Sequence, residues 1–594
     1  TASPNGSFGI SLGGQDPVLG KQVGYALAGS YNSTFEFHDR ETRALAVGSP
    51  VRPLNQFTGQ TGTRSVLWGG VANLNVQLGT YHRIAFNNLY DRTADNEAHS
   101  DLSTDLYGYE YGVRRSWISF VERTVRSNQV QGRHTIAGRD LFTWQVTNSQ
   151  VTRNEPDRAD VLWVGDAAGR YTLETLTGSG VRRSFSTLGE HNWTGGADWR
   201  MELGPQGHAT VVKLGGEGRR TRRDVDLRTY GLGARGLTAA QGSLPPEQLF
   251  GGAVGDSAGF FISNNSAGGR YAARDRVGAG YLMLEQPLGE HVRLVGGARV
   301  ERWNLGIDAR RVNAAADTTY TFGSTDVLPS LAMNVELGEY QNLRLSASQT
   351  LSRPEYRELV PFLQTNPGGD LDFVGNADLR RALVRNADVR WEIYPAAGEV
   401  LSVGIFAKRF QRPIEQIQLA TSGGAVLSYV NTQGATNYGV ELEARKELSF
   451  LPGALGNLGV FGNATFMRSR IEVGNDSISA LTNAVRPMQG QAPYVANAGL
   501  TYAAGGRSAT VLYNVVGRRI SQLGLQPAPD TYIQPRNVLD VSFQQAIRGG
   551  MGLKVNARNL LDAPYRETAG TVTRFEYRTG RVYSVQLTWS PPGR

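Results

Sequence analysis

The feature that most restricts this chain is a two-residue alternation of apolar and polar side chains, held over lengths that ordinary globular strands do not reach. Near the C-terminus Tyr583, Val585, Leu587 and Trp589 alternate with Ser584, Gln586 and Thr588. Over 386–393 Ala387, Val389, Trp391 and Ile393 alternate with Asn386, Asp388, Arg390 and Glu392, and over 438–445 Tyr438, Val440, Leu442 and Ala444 alternate with Gly439, Glu441, Glu443 and Arg445. A strand places successive side chains on opposite faces, so one face here is apolar and the other fully charged. Segments such as Gly20–Asp39, Tyr81–Ser100 and Glu399–Leu419 exceed both the roughly 5–6 residues of a typical strand and the roughly 9–11 that cross a bilayer. That length predicts a barrel wall projecting beyond a membrane.

The connections sort by length. Short ones are Gly204-Pro205-Gln206-Gly207, Pro287-Leu288-Gly289-Glu290, Leu337-Gly338-Glu339, Pro395-Ala396-Ala397-Gly398, Ala504-Gly505-Gly506 and Arg548-Gly549-Gly550. Between them long Gly-, Asn-, Asp- and Pro-rich loops are expected at 41–62, 93–115, 150–181, 229–270, 309–326, 358–382, 474–493 and 523–536. Short turns on one side and long loops on the other are the pattern of an outer-membrane barrel. Trp391, Tyr502 and Trp589 fall near short turns on apolar faces, where an interfacial aromatic girdle belongs.

Composition agrees. With 40% hydrophobic residues, 73 Gly and a formal charge of +8, the chain has apolar surface enough not to be disordered. No run approaches the roughly 18–20 apolar residues of a membrane helix, and the opening Thr1-Ala2-Ser3-Pro4-Asn5-Gly6 is not a signal segment. The absence of Cys excludes disulfide frameworks and thiolate metal sites.

About 21 strands are expected, the first and last both descending toward the short-turn side. Single-chain bacterial barrels close with an even number, and an open edge would leave backbone groups unpaired in hydrocarbon at several kcal/mol each. One ascending strand is therefore expected upstream of Thr1, giving a 22-strand transmembrane antiparallel β-barrel wide enough to need a plug.

Several segments, in order, resemble one family. Leu351-Ser352-Arg353-Pro354-Glu355-Tyr356-Arg357-Glu358-Leu359 is similar to an "RPxFREL" segment, and Gly375-Asn376-Ala377-Asp378-Leu379 with Asn386–Glu392 to a "GNPxL…NxDLRWE" run. Phe406–Phe410 with Pro413-Ile414-Glu415, Asn437–Glu443 ("NYGxELE"), and Asn556–Asp562 with Tyr565 and Gly580–Tyr583 follow. On these motifs the chain resembles a TonB-dependent outer-membrane receptor, over essentially all of residues 1–594. The resemblance implies a barrel domain with long extracellular loops and an N-terminal plug lying outside these residues. It implies outer-membrane lipid, a nutrient ligand and the TonB–ExbB–ExbD system as partners, and neither a cofactor nor nucleic acid. It also implies that Arg390, Glu441, Glu443, Lys554 and Arg558 form a lumen-facing polar wall that contacts the plug. Two departures stand out: the usual terminal aromatic is followed here by Ser590-Pro591-Pro592-Gly593-Arg594, and the chain opens directly on barrel strands.

Other motifs carry less. Arg219, Arg220, Arg222, Arg223 and Arg228 form a basic patch for an anionic ligand or lipid phosphates, or simply a solvated strand end. Gly231-Leu232-Gly233-Ala234-Arg235-Gly236 satisfies G-x-G-x-x-G without the strand–helix context a phosphate site requires. Asp370, Asp372 and Asp378 could hold Ca²⁺ through oxygens, or could be turn residues. The seven His are scattered and no nucleophile elbow is present, so no enzyme is expected. Active import leads; a structural or adhesive platform for partner proteins is the alternative, and a passive pore the third reading.

Overall fold

The computed structural model describes residues 4–591, except 49, 104–108, 176–179, 206–207, 253–258, 264–266, 313, 367–369, 422–423 and 474–480. Twenty-one wall strands follow one another in antiparallel pairs. The first eleven are β1 Gly6–Val18, β2 Lys21–Val47, β3 Arg52–Leu78, β4 His82–Ser103, β5 Val113–Ile136, β6 Asp140–Gly165, β7 Val181–Leu203, β8 Thr210–Ala234, β9 Ala267–Leu288, β10 Val292–Arg311 and β11 Thr318–Gly338. The rest are β12 Gln341–Ser352, β13 Ala382–Ile393, β14 Val400–Gln411, β15 Gly434–Glu447, β16 Leu458–Glu472, β17 Tyr494–Ala504, β18 Arg507–Val516, β19 Arg536–Ala546, β20 Met551–Arg558 and β21 Val582–Trp589. β1 and β21 run in the same direction, as the expected strand count requires.

The wall is lopsided. Strands β2–β11 are 20–27 residues long, and β12–β21 only 8–15. At about 3.3 Å per residue the longest reach roughly 90 Å along the strand, far more than a bilayer needs. Several segments expected to be loops are therefore wall. Most of 41–62, 93–115, 150–181 and 309–326 pairs in continuous ladders, leaving connections of a few residues at 48–51 and 312–317. Their Gly, Asn and Asp content suggested turns, but cross-strand pairing of backbone groups overrides that local preference. Two long connections, near 166–180 and 235–266, join tall strands, the second lying within the loop expected at 229–270; the others, near 353–381, 412–433, 473–493, 517–535 and 559–581, belong to the short strands.

The two faces exchange character partway up. On β10 the lower outward residues are Leu294, Ala298 and the exposed Val300, with Arg299 and Glu301 on the opposite face. Above Val300 the outward residues become Arg302, Asn304, Asp308 and Arg310, and the inward ones Trp303, Leu305, Ile307 and Ala309, all buried. Strand periodicity is unbroken, so the reversal marks a change of solvent: lipid below, water above. The inverted upper face is where loops from the short strands dock. Leu359, Val360, Phe362 and Leu379 pack on Tyr271, Trp303, Leu305 and Ile307. Each fully buried side chain of this kind is worth roughly 1.5–3 kcal/mol. The hairpin Tyr565–Ala569/Val572–Tyr577 pairs with β2 through Thr42 and Arg43, so the two ends of the sheet meet above the membrane.

The alternation read from the sequence holds. Val440, Leu442, Val585 and Leu587 are exposed on the apolar face, and Trp391, Tyr502 and Trp589 share the face of Val389, Leu500 and Leu587 by register. Arg placed at the bilayer midplane of an outward face costs about 2–4 kcal/mol. Leu282→Arg should accordingly depress folding yield and heat-resistant migration in detergent gels. Thr321→Arg, outward but above the band, should change stability by less than about 0.5 kcal/mol.

Candidate functional site

At the outer mouth the inner face of the tall wall and the loops of the low wall enclose a cavity of about 440 Å³. Arg43, Phe57 and Arg115 line it from the wall, and Asp370, Arg574 and Phe575 from the loops. Its volume lies in the roughly 300–1,000 Å³ range of small-molecule sites.

A bulge delivers one of these arginines. Arg40 adopts φ 55°, and the register of β2 on β3 shifts between His38 and Glu41. Bulges re-aim the side chains beyond them; here the shift turns Glu41 and Arg43 inward, with Phe57 directly opposite Arg43. Arg43 lies 4.6 Å from the ring of Phe575, its register partner on the hairpin, and Arg115 lies 3.5 Å from the Phe57 ring. Cation–π contact of this kind fixes a guanidinium's plane without neutralising it.

A buried polar chain holds the two wall arginines. Arg43 Nε donates to Glu41 (2.6 Å), and the Thr61 hydroxyl donates to the other Glu41 oxygen (2.8 Å). Thr61 also meets His99 Nδ1 at 2.7 Å, and His99 Nε2 lies 3.1 Å from Asp101. Asp101 then accepts from Arg115 Nε and Nη2 at 3.0 and 2.5 Å. His99 stacks on Trp117 with centroids 3.5 Å apart. Burial pushes the Glu41 carboxyl up, but His38, Arg43 and Thr61 outweigh it and hold it at about 2. Burial likewise opposes ionisation of Asp101, and His99 and Arg115 prevail, keeping it below the usual carboxylate range.

Arg574 is held differently. Its Nε donates to the Ala44 carbonyl (3.2 Å) and its Nη1 to Gln522 (2.6 Å), both neutral acceptors. Burial lowers its pKa, partly offset by the more distant charges of Asp370 and Glu567. The cavity thus presents three guanidiniums, of which Arg574 makes no ion pair among the described residues.

Sequence reading did not find these residues, because Arg43 and Phe57 fell in a segment read as loop. The signal was the alternation of Val572, Arg574, Glu576 with Phe575 and Tyr577, and the Arg114-Arg115 pair beside Trp117. The proposed polar wall does share one face. Arg390 bridges Glu392 (2.8 Å) and Glu443 (2.7 Å), and the register puts Glu441, Lys554 and Arg558 on the same inward side. The basic patch is divided by strand alternation: Arg219 and Arg223 point inward to Asp275 (3.5 Å) and Glu190 (2.6 Å), and Arg220 and Arg222 are exposed on the outer face. Asp370 sits 3.4 Å from Arg43, Asp372 accepts from the Asn366 amide at 3.1 Å, and the Asp378 amide donates to Asn376, so the three acids do not converge. Leu232–Ala234 is ladder against Phe260–Ile262, and Gly231 pairs with Arg182, so the segment is strand and not a phosphate loop.

An antiparallel barrel with apolar outward strands, a charged interior and an arginine-lined pocket at one mouth has the architecture of an outer-membrane barrel protein. The chain matches the family described as TonB dependent receptor-like, beta-barrel, over residues 48–560, and it belongs to that family. Solved structures agree on the fold. The ferric yersiniabactin uptake receptor FyuA from Yersinia pestis is 16% identical, with TM-score 0.58 over 98% of this chain and 78% of that one. The siderophore receptor PiuA from Acinetobacter baumannii is 11% identical, with TM-score 0.61 over 99% and 81%. The ferripyoverdine receptor from Pseudomonas aeruginosa is 11% identical, with TM-score 0.61 over 98% and 70%. No curated protein matches the chain by sequence. The protein is an outer-membrane receptor for TonB-dependent nutrient uptake, and a structural platform is not favoured.

A depressed carboxylate stabilises above its unfolded pKa and loses that contribution as pH falls toward its folded one. Glu41→Gln should therefore cost roughly 3 kcal/mol above pH 4.5, with the difference in melting temperature from the native protein vanishing as pH approaches 2.

Proposed function

We propose that this receptor captures a compact anionic metal chelate in the arginine-lined cavity and passes it into the lumen past a plug. The observation that carries this reading is the guanidinium of Arg574, half-buried at the cavity wall with only neutral acceptors. A partly buried cation whose direct acceptors are all neutral is costly, and an anionic ligand would add a contacting counter-charge to the more distant ones of Asp370 and Glu567. Bidentate hydrogen bonding suits guanidinium to carboxylate or catecholate-like oxygens. The ferric yersiniabactin and ferripyoverdine receptors take iron chelates by their names, which supports the same ligand class here.

Energy enters through TonB with ExbB–ExbD, acting on a plug seated against Arg390, Glu441, Glu443, Lys554 and Arg558. Because β1 and β21 run the same way, one further ascending strand between them would satisfy both edges and make the 22-strand closure. The reading involves no enzymatic step.

Tryptophan-fluorescence titration of the purified protein with a ferric tris-catecholate tests the ligand class. Arg574→Gln should weaken binding at least tenfold, and a neutral ferric tris-hydroxamate should bind no better to the native protein than to the variant. Equal affinity of the native protein for both chelates would refute an anion site. In cells lacking TonB, uptake of the bound chelate should cease while surface binding persists.

A further inference from the structure

The outer surface of β7–β10 carries a second cationic feature that ligand capture does not use. We propose that it is a docking site for the phosphorylated headgroup of an outer-leaflet lipid. Arg220 on β8 and Arg276 on β9 are directly opposite one another, and Arg302 on β10 stands diagonally beside Arg276, opposite Gly278. All three are exposed on the outward face. Like charges directly opposed across a ladder are destabilising, and none of the three has an ion-pair partner among the described residues. The carboxylates next to them in the chain, Asp275 and Glu301, point to the inner face, where they pair with Arg219 (3.5 Å) and Arg299 (3.0 Å).

Height separates these arginines from their neighbours. Higher on the same outer surface each arginine is neutralised: Arg222 by Asp224 (3.1 Å), Arg274 by Asp308 (2.8 Å) and Arg228 by Asp226 (2.6 Å). On this surface the uncompensated charge begins one outward position above the lipid-facing Val300 on β10 and three above Leu282 and Leu214 on β9 and β8. That is headgroup depth, where a phosphate is the available anion and arginine its preferred fork-shaped partner.

The surface directly below is bare. Gly195, Gly218 and Gly278 form one outward row and Ala197, Gly216 and Gly280 the next. A Cβ at Gly218 or Gly278 would meet nothing within 4 Å, and neither has a positive φ. The chain's own packing therefore does not require glycine there, and glycine inside a strand weakens it unless another molecule approaches closely. Trp193, 56% exposed and opposite Arg220, walls one side of this strip. A headgroup phosphate on the three arginines would lay its acyl chain along the glycines.

Native mass spectrometry and lipid titration of the detergent-purified full chain test the assignment, with bisphosphorylated lipid A, its dephosphorylated form and inorganic phosphate as probes. The native protein should retain lipid A, and the Arg220→Ala/Arg276→Ala/Arg302→Ala variant should bind it at least tenfold more weakly, as should the native protein with dephosphorylated lipid. Gly218→Leu, which keeps every charge, should weaken binding severalfold by filling the strip. Heat-resistant gel migration checks that each variant is folded. Retention of lipid A by the triple variant within twofold of native would overturn the proposal. So would displacement of lipid A by millimolar inorganic phosphate, which would make the arginines a site for free anions.

Discussion

Everything in this protein depends on the hydrogen-bonded ladder between neighbouring strands. Hydrocarbon offers a peptide group no partner, so each backbone N–H and C=O in the membrane must be satisfied by the adjacent strand. Once the ladder exists, the side-chain period is fixed at two. The chain then needs only to assign one parity to lipid and the other to the interior. Val585, Leu587 and Trp589 against Ser584, Gln586 and Thr588 show that assignment in its simplest form.

The same ladder continues far above the bilayer on one side, and there its rule reverses. With water outside, β10 turns Arg302, Asn304 and Asp308 outward and buries Trp303, Leu305 and Ile307. The tall half becomes a wall for the loops of the low half, joined to them by apolar clusters and by β2 pairing with the hairpin at 565–577. This asymmetry makes the pocket. A barrel of even height would leave its loops in solvent; here they are folded over the lumen against a rigid surface, and guanidiniums from both halves converge.

Charge placement follows solvent in the same way. Inside, Arg43 and Arg115 are ion-paired to Glu41 and Asp101, which Thr61 and His99 join into one buried polar chain that orders both guanidiniums. Outside, on β8 and β9, ion pairs neutralise the higher arginines Arg222, Arg228 and Arg274, and Arg220 and Arg276 below them have none among the described residues. Strand alternation thus sorts one stretch of sequence, Arg219 to Arg228, into an interior set and an exterior set with different partners.

The sequence by itself determined the barrel, its strand count, the inward and outward parity of residues such as Val440 and Glu441, and the short turns, because each rests on periodicity or on local turn chemistry. It did not determine how far the strands rise: Gly- and Pro-containing stretches such as 41–62 look like loops until a neighbouring strand supplies their hydrogen bonds. Nor did it determine the pocket. Arg43 and Arg574 are 531 positions apart in the chain, and a bulge at Arg40 reverses the parity that would otherwise have placed Arg43 outside. Only the tertiary structure brings them together, because the pairing of β2 with the hairpin at 565–577 joins opposite ends of the chain and leaves no trace in the spacing of residues along a strand.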